Sequence, residues 1–171
     1  MKLIDNFFKE YDFKNLVQQV VWNANFPMYL RNFVSYASPD APRPEGSYEK
    51  QYDWFAIHIL FHEGKVRSPL YPYLSGLLKP LLKWKTLLRL KINFYGHTDK
   101  INEHSLHTDF DFKHKGFIFY INTNNGFTKL KDGTKIKSVA NRGLYFDSAV
   151  EHNSSTCTGN QPRINININY I

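Results

Sequence analysis

From Leu87 to Tyr95 the chain alternates residue by residue. Leu88, Leu90, Ile92 and Phe94 fall on one face of an extended strand, and Arg89, Lys91, Asn93 and Tyr95 on the other. The end of the chain repeats the pattern, with Ile164, Ile166, Ile168 and Tyr170 separated by Asn165, Asn167 and Asn169. Between these two segments the pattern predicts strands at Leu106–Asp111, Gly116–Asn122, Phe127–Leu130 and Gly143–Phe146. Asp132-Gly133 marks a hairpin turn that returns through Thr134–Val139. The first half reads differently. Asp12 is placed to cap a helix running to about Val21, with Phe13, Leu16, Val17 and Val20 on one face. Phe26 to Leu30 ends that unit, because Pro27 stops a helix. A second helix, Leu70–Leu82, carries Leu74, Leu77, Leu78, Leu81 and Leu82, and Pro80 should kink or shorten it. Short strands or lead-ins are expected at Ile4–Phe8, Val34–Tyr36 and Trp54–Phe61. Ser38 to Ser47, with Pro39, Pro42, Pro44 and Gly46, is the clearest loop and a candidate lid. Neither repeats nor a linker divide the chain. The reading is one domain over 1–171, mainly β (α+β), with a helix-containing support region over about 1–86 and a strand-rich core over about 87–171.

Composition narrows the class. A chain of 171 residues with 42% hydrophobic content, 14 Phe and 11 Tyr can close a core of its own and favours strands. Its single cysteine, Cys157, excludes an intrachain disulfide. Charge arrives too early in Met1–Asn6 for a signal peptide, and no apolar run approaches membrane-spanning length. The expectation is a soluble, cytoplasmic protein without a membrane partner. The formal charge of +7 invites a nucleic-acid reading. The basic residues are spread, however, over Lys83, Lys85, Arg89 and Lys91 and over Lys129, Lys131, Lys135 and Lys137. The second group alternates across the hairpin turn as a solvated face would. A positive outer face is the preferred reading, with an acidic substrate or nucleic acid left open.

The chemistry concentrates between residues 107 and 163. His107-Thr108-Asp109 and the later His152 supply two imidazoles and one carboxylate, which suit one side of a divalent metal and leave positions free for small molecules. A second tripeptide, His97-Thr98-Asp99, sits between Gly96 and Lys100 in a polar stretch and reads as a solvated turn. In a strand His107 and Asp109 share a face, and Leu106, Phe110 and Phe112 would anchor the segment. Two histidines and an aspartate also suit zinc, but zinc does not explain Arg163. That residue opens the last strand and places a planar cation where a carboxylate could be gripped in bidentate fashion. His58, His62, His104 and His114 show no role.

The ordered set His107-x-Asp109, His152 and Arg163 resembles the Fe(II)/2-oxoglutarate-dependent dioxygenase superfamily, in particular prolyl 4-hydroxylase-like and phage-type members. Asn93-x-Tyr95, the run Gly116–Asn122 that follows the first tripeptide, and Leu144–Ser148 leading to His152 support it. The likeness covers about half the chain closely. It implies a distorted double-stranded β-helix, a cupin-like jelly-roll. It implies Fe(II), 2-oxoglutarate and O2, with ascorbate as an accessory reductant. His107, Asp109 and His152 would hold the metal. Arg163 would take the distal carboxylate of 2-oxoglutarate, with Asn93, Tyr95 and Asn165 beside it, and no catalytic side chain beyond the metal ligands is needed. The implied function is a hydroxylase of a peptide, protein or small molecule that converts 2-oxoglutarate to succinate and CO2. Asn93-x-Tyr95 is also similar to a 2-oxoglutarate contact of nucleic-acid demethylases. Those enzymes carry a second arginine six residues after the first, where this chain has Asn169, and this favours the hydroxylase branch. A non-catalytic jelly-roll binding or virion module is the third reading, and a complete ligand set argues against it.

Overall fold

The computed structural model describes residues 1–31, Val34 and residues 54–171. In chain order the elements are β1 (Lys2–Ile4), α1 (Glu10–Val20), β2 (Tyr29–Arg31), β3 (Phe55–His62), β4 (Lys65–Val66), α2 (Tyr71–Leu82) and β5 (Leu87–Tyr95). They continue with β6 (Lys115–Tyr120), β7 (Phe127–Leu130), β8 (Lys135–Lys137), β9 (Arg142–Asp147), β10 (His152–Ser154) and β11 (Arg163–Tyr170). All strand pairs are antiparallel. A large sheet runs β1-β9-β6-β11-β5-β3-β2, with β4 at the side of β3, and a small sheet runs β10-β7-β8. The result is the two-sheeted jelly-roll expected from the alternation.

β11 lies at the centre, between β5 and β6, and all eight of its residues are buried. Its isoleucines face the helices. Ile164, Ile166 and Ile168 join Leu90 and Ile92 of β5 and Phe117 and Phe119 of β6 in one core, which Leu16 and Val20 of α1 and Leu74, Leu78 and Leu82 of α2 close from above. Amphipathic helices on one face of a sheet are how that face escapes water. The opposite face meets the small sheet. There Ile118, Tyr120, Ile136, Leu144 and Phe146 form a second cluster. The polar residues of β11 share this second face. Arg163 is opposite Tyr95 on β5, Asn165 opposite Asn93, Asn167 opposite Lys91, and Asn169 opposite Arg89. A buried row of side-chain amides and charges is costly unless each finds a partner, so this ladder marks where the fold has spent stability on something other than packing.

Several sequence expectations shift. α1 begins at Glu10, with Lys9 as its N-cap and no side-chain cap; Asp12 lies in the first turn and acts on the helix dipole instead. Pro80 sits inside α2 without ending it; the helix runs on to Leu82 and stops at Lys83, which adopts a left-handed conformation. At the N-terminus only Lys2–Ile4 pairs as a strand, and Phe7 and Phe8 turn into the core against Phe119. The stretch Leu106–Asp111 is not a strand. Leu106 and Phe112 are exposed, so of the apolar anchorage expected for it only Phe110, packed against Arg89 and His114, is partly buried, and one bridge at His107 is its only sheet-like pairing. The proline-rich loop over 38–47 lies outside the described residues, as does the Val34–Tyr36 strand apart from Val34. The sheet also draws β1, β2, β3 and β4 from the first 86 residues.

Because Ile166 is fully buried between Ile92 and Phe119, Ile166→Ala is expected to lower the unfolding free energy by about 3 kcal/mol. Urea denaturation measures this. A loss below about 1 kcal/mol would mean that the helical layer does not seal the sheet at this point.

Candidate metal centre

The two histidines of the candidate site are tied to each other through the backbone. His107 N–H donates to His152 O and His152 N–H to His107 O, each at 2.9 Å, so the pair forms one narrow antiparallel bridge. Their rings lie 4.8 Å apart. β10 holds His152 against Leu130 of β7, and Phe146 packs edge-on against its ring. Beyond His107 the chain bends, and Asp109 N–H reaches Ser148 O at 3.3 Å. His107, Asp109 and His152 thereby bring one ligand atom each within 4.8 Å of one another.

The ring nitrogens are oriented for ligation. His152 Nδ1–H donates to Val150 O at 3.0 Å and His107 Nδ1–H to Ser105 O at 3.2 Å. A carbonyl can only accept, so each neutral ring keeps its lone pair on Nε2, the usual way in which a metal-binding imidazole is set. Burial, with His152 nearby, pushes the His107 pKa down to about 4, which leaves the ring neutral. Asp109 has a side chain only 4% exposed. Burial alone would raise its pKa, but the Arg89 guanidinium and the contact with His152 outweigh it and hold the carboxyl well below the usual range. Arg89 pairs with Oδ1. Oδ2 accepts from Ser148 Oγ at 2.6 Å and Asn169 Nδ2 at 2.9 Å, and lies 3.6 Å from His152 Nε2. The donor set is two imidazole nitrogens and one anionic oxygen, held by outer hydrogen bonds. It fits a divalent first-row metal.

These ligands line a small cavity of about 30 Å³ with Lys91, Asn93, Tyr95, Thr128, Asn153, Arg163, Asn165 and Asn167. Arg163 is fully buried. Its Nε donates to Ser138 Oγ at 2.8 Å and one terminal nitrogen to Thr128 Oγ1 at 2.9 Å, while Tyr95 and Tyr120 flank the guanidinium at 5.0 and 5.7 Å. The other terminal nitrogen, Nη1, has no partner. Asn93 Nδ2 donates to Asn165 Oδ1 at 2.9 Å, and burial keeps Tyr95 protonated. Buried polar atoms without partners are rare in native proteins. Of the six side-chain atoms in this state among the described residues, Asn93 Oδ1, Asn153 Oδ1, Arg163 Nη1 and Asn167 Oδ1 all belong to this cavity. The orphans are gathered where a polar ligand would satisfy them. Two larger hollows lie elsewhere. One of about 620 Å³ opens among Val17, Phe26 and Ile164, and one of about 660 Å³ among Lys2, Lys115 and Tyr145; neither contains a member of the triad.

All seven residues singled out in the sequence line this one cavity: His107, Asp109, His152, Arg163, Asn93, Tyr95 and Asn165. The competing tripeptide lies apart, with His97 and Asp99 exposed and His97 bridged to Cys157. Sequence reasoning missed Arg89 and Lys91, which it placed on a positive outer face. They instead project toward the triad, and the alternation that put Lys91 on the face of Asn93 was the available signal. Asn169 shared the polar face of the last strand and Ser148 closed the run leading to His152, but neither was read as a partner of Asp109, and Asn153 carried no signal. His104 also gains a place: it is buried, stacks on Tyr95 at 5.5 Å, and its Nδ1 lies 2.8 Å from Ser154 Oγ. The hairpin lysines behave as expected, Lys129 and Lys135 sharing Glu103 and Lys131 pairing with Glu151.

No protein-family model matches the chain, and no curated protein does. Solved structures do. The chain is similar to a prolyl-4-hydroxylase from Pseudomonas putida, with 13% identity, 99% of this chain and 91% of that one covered, and a TM-score of 0.62. It is similar to a prolyl hydroxylase from Trichoplax adhaerens, solved with a hypoxia-inducible-factor peptide fragment, with 15% identity, 99% and 82% covered, and a TM-score of 0.66. A 2OG-Fe(II) oxygenase family oxidoreductase from Burkholderia pseudomallei gives 10%, 98% and 83%, and 0.65. At such identities the likeness is one of fold: the chain has the jelly-roll of the prolyl 4-hydroxylases and their 2OG-Fe(II) oxygenase relatives.

Both perturbed groups make the metal-free protein acid-sensitive. His107 takes up its proton near pH 6.5 when unfolded and near 4 when folded. Between those values the unfolded chain binds more protons, so stability rises with pH. The depressed Asp109 acts in the same sense at lower pH. The melting temperature is therefore expected to fall as pH drops from 7 to 4, and His107→Gln should flatten that fall by about 5 °C or more. Calorimetry of both proteins across this range checks it, and parallel profiles would refute it.

Proposed function

We propose that this chain is an Fe(II)- and 2-oxoglutarate-dependent oxygenase that hydroxylates a peptide, protein or small-molecule substrate. One observation carries the reading. A His-Asp-His triad and a buried arginine with a free donor line a single cavity, in a fold shared with prolyl hydroxylases. His107 and His152 would offer Nε2 and Asp109 a carboxylate oxygen to the metal. When bound, Fe(II) would supply activation of O2, coupled to oxidative decarboxylation of 2-oxoglutarate to succinate and CO2. Arg163 would receive the distal carboxylate on Nη1, its remaining donors being fixed by Ser138 and Thr128. Tyr95 and the Asn93–Asn165 pair would line the path between them. Burial of the ladder excludes water from the reacting atoms. Arg89, Ser148 and Asn169 hold Asp109 ionised and in place, so no side chain need act as a general base. Asn169 occupies the position of the second arginine of nucleic-acid demethylases, and here its amide serves Asp109. The setting we propose is the cytoplasm, with no membrane partner; among the described residues no helix is long and apolar enough to cross one.

Succinate release, with iron and 2-oxoglutarate present, against a panel of peptides, free amino acids and oligonucleotides tests the reading and sorts the substrate class. Asp109→Ala is expected to abolish Fe(II) binding, measured by calorimetry, and Asp99→Ala to leave it intact; the reverse result would move the metal to the other tripeptide. Arg163→Ala should weaken 2-oxoglutarate binding by about a hundredfold, on the order of 3 kcal/mol for a buried charge-assisted pair, with Fe(II) binding retained. Arg163→Lys should recover part of that loss, since it restores charge without the planar fork.

A further inference from the structure

The cavity holds a second cation that the co-substrate does not use. Lys91 lies four residues before Tyr95 on β5, roughly 13 Å along the strand, and faces Asn167 across the ladder. It points into the same cavity as Asp109 and Arg163. Among the described residues its ammonium makes no hydrogen bond, and the Phe55 ring lies 5.9 Å away. Asn167 is equally unmatched: it is 5% exposed, and its Oδ1 has no partner. Since an amide can present either end, Lys91 and Asn167 together offer an ammonium and an N–H₂ to one anion. Asp109 attracts Lys91 without hydrogen-bonding it, its two oxygens being turned toward Arg89, Ser148 and Asn169.

Charge balance points the same way. Arg163, Arg89 and Lys91 face a single carboxylate, that of Asp109, and burial with Arg89 nearby lowers the Lys91 pKa to about 7, so an added anion there would restore its full charge. A divalent metal and a dicarboxylate co-substrate cancel each other, so loading the site as proposed above leaves the excess of positive charge unchanged. His62, opposite Arg89 across β3 and β5, reports the same field: burial first, and then Arg89, Arg67 and Lys91, lower its pKa against the pull of the exposed Glu63.

We propose that Lys91 and Asn167 form a carboxylate-binding subsite for the molecule to be oxidised, which is therefore an acid, anchored beside the metal by its own carboxylate. This rests on the oxygenase reading and names the substrate class it lacks. Free acids and acidic groups of a peptide share this chemistry, and the test separates them.

Acetate is the probe. It is titrated into isotope-labelled protein, once metal-free and once loaded with Zn(II) and the unreactive analogue N-oxalylglycine, while the side-chain amide resonance of Asn167 is followed by NMR. Saturable shifts are expected in both states. Lys91→Met should weaken acetate at least tenfold and leave N-oxalylglycine affinity within about twofold; Arg163→Met should do the converse. Free aspartate and N-acetyl-aspartyl-amide, compared in the same way, distinguish a small acid from an acidic peptide side chain. Acetate binding that survives Lys91→Met overturns the subsite. So does acetate that competes with N-oxalylglycine while Lys91→Met weakens both, because Lys91 would then serve the co-substrate. Should the wild-type protein take up neither metal nor analogue, the oxygenase reading fails, and the metal-free titration alone still decides whether Lys91 binds carboxylates.

Discussion

Two backbone hydrogen bonds, between His107 and His152, fix the geometry on which the site depends. They join a loop to a three-residue strand whose own sequence, His-Asn-Ser, has no propensity to hold a register. A metal site needs its ligands placed to within a fraction of an ångström, and neither segment could achieve this alone. The bridge makes the two rings move as one body. The small sheet then carries that body through the pairing of His152 with Leu130. Asp109 is added two residues after His107 by a bend rather than by a strand, and Arg89, Ser148 and Asn169 hold its carboxylate.

The large sheet supplies the rest through a division of labour between its faces. On the helix side every second residue of β11 is an isoleucine, and packing there stabilises the fold. On the other side every second residue is polar and buried nonetheless. A fully buried arginine and three buried asparagines on one strand would destabilise the sheet if they remained unpaired. Neighbouring strands partner part of the row: Ser138 and Thr128 serve Arg163, and Asn93 serves Asn165. What is left unpaired is localised to the cavity, where a ligand can complete it. Stability on one face thus tolerates the desolvation that function needs on the other.

This division decides what could be read from the letters. Strict alternation in β5 and β11 gave their boundaries and their faces, and with them the placement of Asn93, Tyr95, Arg163 and Asn165, because period-two patterning is a direct image of the pleat. The triad was legible as an ordered pattern, and its three side chains do converge. The strand expected around His107 was not real, although the conclusion drawn from it survived: a bend can bring residues i and i+2 to one point as well as a strand can. β10 was invisible because His152, Asn153 and Ser154 owe their extended form to β7. Arg89 and Lys91 were misplaced for a different reason. Cations in a basic chain read as surface; the alternation put them on the face of Asn93, and the register with Asn169 and Asn167 shows that this face points inward.

Arg89 deserves its own physical account, because it couples the charge of the site to its structure. Its guanidinium neutralises Asp109, lies against the Phe110 ring at 5.1 Å and donates through Nε to Asn169 Oδ1 at 3.2 Å. Without that cation, burial would favour the protonated acid, and a protonated carboxyl is a poor metal ligand. With it, Asp109 stays anionic in a dry setting. The arginine also withdraws electron density from the oxygen it grips, and it occupies space that a second metal–oxygen bond would need. A metal held here would therefore take one oxygen of Asp109 beside His107 and His152. In this way the cation that keeps Asp109 available as a ligand would also limit how many donors the protein itself supplies.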